Sequence, residues 1–382
     1  MAKQQRSEYP VVGTWPLDDE VIALRVSGTD DSYALAAGAH AQVIGTSAAC
    51  DVVLRDPART VAPEHARLVR RHAHWTIRAI GDDLDVLCRD RVPLREFPLV
   101  PGLEISLGDV TLIAESERSR ALHAMLRRLI GFDARYQVEV DRALRTVLTT
   151  ASGRGVLTLC GSGDLVSVAH QLHRRMLPGQ PFVVCDPRRG EGSAHPLLAP
   201  NIRDPMDALG LAAGGTLCLP ADRPPHELPE LAERRRNSTT RVQLVIVTET
   251  VHPVLAAIAE PVVVTPLARR AAERLRLIDE LAAEAAATLG IEVVPLSDAH
   301  RRAILRFDGS TPQAIEKATL RIIALRNGGH TSRVAKQLDM SHASLTEWAL
   351  RRGLVAKRPR GRPPRPKPDA GEALAALLPR PA

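Results

Sequence analysis

In the first third of the chain, from Val21 to about Ala114, apolar positions come in brief runs rich in β-branched residues: "VIALRV", "AQVIGT", "CDVVL", "HARLVRR", "HWTIRAI", "LDVLC", "LEISLG" and "VTLIAE". Gly, Asp and Pro punctuate them every eight to twelve residues or so, the texture of an all-β sandwich. A polar, helical connector follows around "ESERSRALHAMLRR". From about Leu129 to Asp308 strand-like and helix-like runs alternate, which predicts α/β layers. Here "LIGFDARYQVEVDRALRTVLTTA" predicts a turn and an amphipathic helix with Val138, Val140, Leu144, Val147 and Leu148 on one side. "GVLTLCG" and "PFVVCD" predict strands and "DLVSVAHQLHRRM" a helix, while "GGTLCLP" and "RVQLVIVT" are compact enough for buried parallel strands. From Arg301 the pattern is wholly helical. "DAHRRAILRFDG" is one helix, and "TPQAIEKATLRIIALRNGG" a second, with Thr311 as N-cap and Pro312 at its first position. Two short helices follow, Thr331 to Leu338 and a second starting at Ser341 as cap, joined by a turn at Asp339-Met340. Val334, Ala335, Leu338, Met340, Leu345 and Ala349 fall where such a pair buries its apolar side, with Trp348 partly covered.

At 382 residues the chain exceeds one ordinary core, and about 100 to 200 residues per domain predicts two or three. Apolar content of 45% with only 3% aromatics leaves alanine and leucine to fill the cores. The expected division is a flexible N-terminus 1–20, a sandwich 21–115, a connector 116–128, an α/β domain 129–260, a helical lid-like region 261–327, a helix pair 328–355 and a tail 356–382. No run of about 18 uncharged apolar residues occurs, and "MAKQQRSEYPVVG" lacks the apolar centre of a signal peptide, so the chain is expected to be soluble and cytoplasmic, without a membrane partner. Cys50, Cys88, Cys160, Cys185 and Cys218 are odd in number and widely spaced in apolar runs. Buried thiols are expected, with no disulfide framework, metal site or cofactor.

The net charge of +7 is concentrated. Residues 356–368, "AKRPRGRPPRPKP", carry Lys357, Arg358, Arg360, Arg362, Arg365 and Lys367 and no acid. A cationic block on a nearly neutral body fits a tail that meets a polyanion. Its prolines forbid a helix, so it is expected to be extended and disordered alone.

The order of the N-terminal runs, "VIGTSAACDVVL", "HARLVRR", "W-T-I" and "PGLEISLGDVTLI", resembles the forkhead-associated (FHA) domain. That family binds phosphothreonine through an Arg after the first Gly, a Ser three residues before a His, and a later Asn-Gly. Here Gly45 is followed by Thr46, Ala62 stands three before His65, and "GDDLDVLCRD" has no Asn-Gly. A phosphate dianion needs charge-assisted donors, and the expected cation and hydroxyl are missing. The resemblance therefore implies a protein-interaction module with altered phosphate recognition at Thr46, Ala62 and His65, His65 being retained as a brace between loops.

The middle of the chain resembles the AAA+ (P-loop NTPase-like) domain of activators of sigma-54 polymerase. "LIGFDARYQVEV" stands at that family's entry motif, "AAGGTLCLP" at its GGTLFLDE, "VQLVIVTET" at its sensor strand and "VVTPLARR" at its PPLReR. The phosphate loop "LTLCGSGDLVSVAHQ" keeps Gly161, Ser162 and Gly163 but lacks the Lys and adjoining Ser/Thr that would hold outer phosphates and Mg²⁺. Where an Asp-Glu pair should stand there are Pro220 and Ala221; Asp222 comes one residue late, and the sigma-gripping GAFTGA loop is absent. Phosphoryl transfer rests on positioning and electrostatics, so these losses together imply no ATP hydrolysis and no catalytic residues. Arg269 and Arg270 stand where trans-acting arginine fingers would, or are simply a solvated pair at a helix start.

The helix pair resembles the Fis-type helix-turn-helix that ends sigma-54 activators. Asp339 replaces the usual turn Gly, and Glu347 stands where such helices are often basic. The resemblance places Ser341, His342, Ser344, Thr346 and Arg351 on the outer side of a recognition helix, within reach of base edges and phosphates. "PRGRP" matches the AT-hook core: Arg360-Gly361-Arg362, ending in Pro363 and flanked by Lys357, Arg358 and Arg365. An extended Arg-Gly-Arg fits the narrow, negative minor groove of A·T-rich DNA. The expectation is a multidomain, nucleoid-associated DNA-binding transcriptional regulator, dimeric on double-stranded DNA, whose FHA-like and AAA+-like parts serve oligomerisation or protein partners. The competing expectations are an ATP-driven sigma-54 activator and an FHA-based scaffold that binds DNA only through charge.

Overall fold

The computed structural model describes residues 19–71, 74–81, 84–88, 92–94, 96–189, 200–221, 228–237, 241–328 and 330–355. Alternation builds the N-terminal unit. Strand β5 (Ala66–Arg71) buries Ala66 and Leu68, while β6 (His74–Ala79) buries Trp75 and Ile77 and leaves His74 and Arg78 exposed. These pair in one sheet, ordered β4-β3-β5-β6-β9, with β3 (Ala41–Gly45), β4 (Val52–Val53) and β9 (Glu96–Pro98). The facing sheet runs β2-β1-β11-β10-β7-β8, from β1 (Ala23–Val26), β2 (Ser32–Ala34), β7 (Val86–Cys88), β8 (Val92–Leu94), β10 (Glu104–Leu107) and β11 (Val110–Glu115). Leu24, Ile44, Leu68, Trp75, Ile105 and Leu112 fill the space between, so the all-β sandwich expected over 21–115 is present.

The segment expected to be a polar connector is a core element. Helix α1 (Glu117–Ile130) starts in a Ser116–Ser119 capping box and buries Leu122, Met125, Leu126, Leu129 and Ile130. These residues join α2 (Gln137–Ser152) and α3 (Leu165–Met176) on one face of a parallel sheet ordered β13-β14-β15-β12-β16. Its strands are β12 (Val156–Cys160), β13 (Phe182–Val184), β14 (Thr216–Pro220), β15 (Gln243–Thr248) and β16 (Val262–Val263). Every residue of β12 and β15 is buried, as parallel strands covered on both faces require. The opposite face carries α4 (Pro205–Leu211), α5 (Leu228–Asn237) and α6 (Pro253–Ile258). Two expectations need correction. Val138 is 57% exposed and leaves the apolar side of α2 to Val140, Leu144, Val147 and Leu148. The sheet also runs past residue 260, because Val262 and Val263 pair in parallel with Leu159 and Cys160.

A buried ion network joins sandwich to α/β unit. Arg25 of β1 donates to Glu115 at 2.7 Å and to Asp141 of α2 at 2.7 Å, and Asp141 also accepts from Gly28 N at 2.7 Å. Arg25, Glu115 and Asp141 are all but inaccessible, so each charge depends on the others. His123 of α1 lies 3.7 Å from Asp141; burial, with Arg25 close by, pushes it down to about 4, and it is neutral.

Helices α7 (Arg274–Leu289), α8 (Asp298–Asp308), α9 (Pro312–Gly328), α10 (Thr331–Gln337) and α11 (His342–Arg351) form the C-terminal unit. Thr311 caps α9 by accepting from Ala314 N at 3.2 Å. One hydrophobic core runs through Leu277, Ile304, Ile322, Val334, Leu345 and Trp348. The lid-like region and the helix pair, expected as separate segments meeting at 327/328, therefore share a core. Arg352 fastens them with two bonds to Asp308 (2.6 and 2.8 Å) while stacking 4.5 Å over Trp348. Arg270 is neither a finger nor solvated. It is 2% exposed and donates to the carbonyls of Thr265 (3.2 Å), Arg128 (2.7 Å) and Leu129 (2.9 Å), pinning the start of the bundle to the end of α1.

Candidate functional site

The parallel sheet makes one crevice. β12 leads into α3 on one face and its neighbour β15 into α6 on the other, so the chain diverges between adjacent strand ends, the place where open α/β sheets take ligands. A cleft of about 270 Å³ lies there, lined by Gly161, Gly163, Asp164, Asp186, Pro220 and Thr248 among others.

Its chemistry is spent internally. Gly161 N donates to Thr248 O at 3.0 Å, extending the parallel ladder rather than facing a ligand. Gly163 sits at φ +103°, and a Cβ there would lie 3.0 Å from Cγ2 of Thr311, the cap of α9. Asp164 caps α3 by accepting from Ser167 N at 3.0 Å and from the Ser167 hydroxyl, so the positive end of that helix already holds an anion. Ser162 is exposed and has no structural partner among the described residues. On the far wall Asp186 binds Arg188 Nε at 3.1 Å and lies 3.8 Å from Arg189 Nε. At the strand end opposite, Ala221 N bonds Val247 O at 2.9 Å, while Asp222 lies outside the described residues. The charged residues of the cleft lining are Asp164, Asp186 and Glu249 with Arg188 and Arg189, and no lysine is among them.

The helix pair keeps its outer surface. Asp339 sits at φ +51°, taking the left-handed turn that its short polar side chain tolerates, and Met340 N closes the turn on Ala335 O at 2.8 Å. Ser341 caps α11 through Ser344 N at 3.0 Å, and its hydroxyl reaches the Ser344 hydroxyl at 2.7 Å. Val334, Ala335, Leu345 and Ala349 are buried, Leu338 and Met340 half-buried. Trp348, expected to be partly covered, is 6% exposed because Arg321 and Arg352 stack on its ring. Ser341, His342, Ser344 and Arg351 are exposed; Thr346 is half-buried. His342 Nε2 meets Thr331 Oγ1 at 2.9 Å and Thr346 Oγ1 at 3.4 Å, so one imidazole stitches the starts of both helices. Arg351 is shared with Glu347 at 3.4 Å. The sequence reading placed Thr331, Arg333 and Lys336 inside the first helix of the pair without singling them out as site residues; Arg333 and Lys336 are exposed on α10. The AT-hook residues Lys357, Arg358, Arg360, Gly361, Arg362, Pro363 and Arg365 lie outside the described residues.

At the sandwich tip Thr46, Ala62 and His65 do meet, but none offers a donor outward. Thr46 N donates to Ala62 O at 3.2 Å and its hydroxyl turns to Val61 O at 3.5 Å. His65 is 3% exposed; Nδ1 accepts from Ala62 N at 3.2 Å and Nε2 faces Asp85 O at 3.1 Å, bracing two loops. Asp56 organises the same loop, its carboxyl held below the ordinary range by hydrogen bonds led by that from Val61 N (2.7 Å).

Among the described residues no group of three or more His, Cys, Asp or Glu side chains could hold a metal ion, and no helix is long and apolar enough to cross a membrane. Cys50, Cys160, Cys185 and Cys218 are buried. No protein-family model matches the chain, and no curated protein does. Its N-terminal quarter is similar to solved FHA domains. The FHA domain of the CT664 protein from Chlamydia trachomatis matches at 18% identity and TM-score 0.22, over 25% of this chain and 95% of that one. The N-terminal FHA domain of S. cerevisiae Rad53p, in complex with a phosphothreonine peptide, matches at 13% identity and TM-score 0.22, over 25% and 92%. Mycobacterium tuberculosis EmbR, in complex with a low-affinity phosphopeptide, matches at 21% identity and TM-score 0.21, over 25% of this chain and 24% of that one.

Proposed function

We propose that the chain is a DNA-binding transcriptional regulator, in which α11 enters a major groove and the Arg360-Gly361-Arg362 segment holds an adjacent A·T-rich minor groove. The carrying observation is the geometry of α10 and α11: a left-handed Asp339 turn, a Ser341 cap and a buried Val334–Leu345–Ala349 side, with Ser341, His342, Ser344 and Arg351 turned to solvent. A neutral serine cap leaves the positive end of α11 open to a phosphate. Glu347 tempers Arg351, so one such helix supplies modest affinity, and a homodimer on two half-sites supplies the rest. The sandwich serves protein interaction. The α/β unit keeps its sheet as scaffold and turns over no ATP, in keeping with Asp164 at the phosphate position and Pro220-Ala221 opposite.

Selection from random duplexes tests this reading. Recovered sites are expected to bind far more tightly than random DNA, His342→Ala or Thr346→Ala to change the preferred sequence, and Arg362→Ala to weaken A·T-rich sites by about 1–3 kcal/mol. Random DNA binding as well as every selected site sinks the groove-reading claim. ATP turnover stimulated by DNA and lost on substitution at Gly163 sinks the claim that the α/β unit is catalytically silent.

A further inference from the structure

The outer face of the β4-β3-β5-β6-β9 sheet carries an electrostatic conflict. Register places Val43 opposite Arg67, Arg67 opposite Arg78, and Arg78 opposite Glu96, one row across four strands. Gln42, Ile44, Leu68, Trp75, Ile77 and Phe97, the alternate residues, are buried, so this row points to solvent. Directly opposed side chains on an antiparallel pair have Cβ atoms about 4.5–5.5 Å apart, and like charges there repel. Glu96, the acid of the row, is engaged by Arg71 at 2.9 Å. Neither Arg67 nor Arg78 has an ion-pair partner among the described residues. Helix α1 packs on β11 of the facing sheet, and among the described residues no helix packs on this one.

The face is not simply basic. Val43 and Val69 stand half-buried beside the arginines, and Val53 and Ile80 at its margin are each 40% exposed. Trp75 and Phe97 point inward, so among the described residues of this face no Phe, Tyr or Trp ring is offered for nucleic-acid bases to stack on. We propose that this face docks an acidic protein segment with apolar side chains between its carboxylates, Arg67 and Arg78 forming the paired cation at its centre. One carboxylate between two guanidiniums turns a repulsive pair into a charge-assisted bridge, and the flanking valines receive the apolar side chains.

The test uses the full chain and a fluorescent peptide of alternating Glu and Val, read by anisotropy. Arg67→Glu/Arg78→Glu is expected to weaken binding by about tenfold or more, with the wild-type interaction falling as salt rises, whereas Thr46→Ala leaves it unchanged. A melt shows whether the variants fold and tests the conflict without a partner: Arg67→Glu, which sets a carboxylate opposite Arg78 and has only Val43 on its other side, is expected to raise Tm by about 1–2 °C. The proposal is overturned if the peptide does not bind, if it binds the double variant as well as wild type, or if Arg67→Glu lowers Tm. Loss of duplex DNA rather than peptide in the double variant would also overturn it, by assigning the face to nucleic acid.

Discussion

Two helix starts, Asp164 on α3 and Ser341 on α11, solve the same local problem in the same way. Each side-chain oxygen accepts from the backbone N–H three residues on, Asp164 from Ser167 at 3.0 Å and Ser341 from Ser344 at 3.0 Å. Their surroundings part them. The α3 start brings its own carboxylate, is crowded by Thr311, the cap of α9, and opens on a cleft whose other charged residues, Asp186, Glu249, Arg188 and Arg189, include acids as well as cations. The α11 start carries a neutral hydroxyl and faces solvent. Both sites keep the turn that a phosphate or a base edge would need, but only the second keeps it available. What decides is where each backbone donor and each charge is already committed.

The comparison breaks most completely if the bundle under α11 gives way. Leu345 is fully buried in the core shared by α7 to α11. Leu345→Ala is expected to cost about 2–5 kcal/mol. Because that core is continuous, denaturant melts should lose α7–α11 as one unit, with DNA binding lost in step. A variant in which α10 and α11 melt alone would show them to be an independent appendage.

Acid should separate the two sites from the other direction. Burial pushes His173, on the buried side of α3, down to about 4, where its ring meets Thr216 Oγ1 (2.8 Å) and Gln180 O (2.9 Å); His123 is likewise pushed down to about 4. Both folded values lie below the unfolded one of 6.5, so between those limits the unfolded chain binds more protons, and stability is lost as pH falls from about 6.5 toward 4. Each histidine contributes up to about 1.4 kcal/mol per pH unit, on the order of 2–3 kcal/mol in total. Amide exchange at pH 5 is expected to show the α/β unit opening before the helical bundle. The reverse order would remove these histidines as the cause.

Removing each cap measures the starts directly. Asp164→Ala and Ser341→Ala should each cost about 1 kcal/mol. The swapped variants Asp164→Ser and Ser341→Asp keep a capping oxygen and should change stability by only a few tenths. Their binding should diverge. Ser341→Asp places a carboxylate where a DNA phosphate would lie and should weaken duplex binding, while Asp164→Ser removes an acid from the cleft yet supplies no lysine, so ATP titration should show no heat. ATP binding by Asp164→Ser would mean that one carboxylate, and not the missing lysine, had closed the cleft.

Much of this division was legible in the sequence because it rests on local pattern. Alternation marked β5 and β6, unbroken apolar runs marked β12 and β15, and Ser341 with a following apolar period marked α11. What escaped depends on pairs far apart in the chain. Arg25 sits inside the apolar run "VIALRV", a charge that needed a buried partner, but Glu115 and Asp141 lie 90 and 116 positions away. Arg270 was indistinguishable from its exposed neighbour Arg269 because its partners are backbone carbonyls, which no side-chain pattern reveals. The polar look of "ESERSRALHAMLRR" hid α1's buried stripe, because Arg118, Arg120, Arg127 and Arg128 occupy only the solvent side and the ends of the helix.

The finest test concerns the one residue at which the α10–α11 turn departs from its expected chemistry. Asp339 holds φ +51°, a conformation that costs an L-residue roughly 1 kcal/mol and glycine almost nothing. Glycine also loses more backbone freedom on folding, which offsets part of that gain. Asp339→Gly should therefore stabilise the bundle by no more than about 0.5–1 kcal/mol, read as a small rise in denaturation midpoint at unchanged slope. Asp339 is exposed and its removal deletes a negative charge beside the proposed DNA face, so duplex affinity should rise slightly and more visibly at low salt. If Asp339→Gly instead destabilises the bundle, the aspartate side chain itself holds the turn, and the left-handed geometry belongs to that side chain rather than to the backbone.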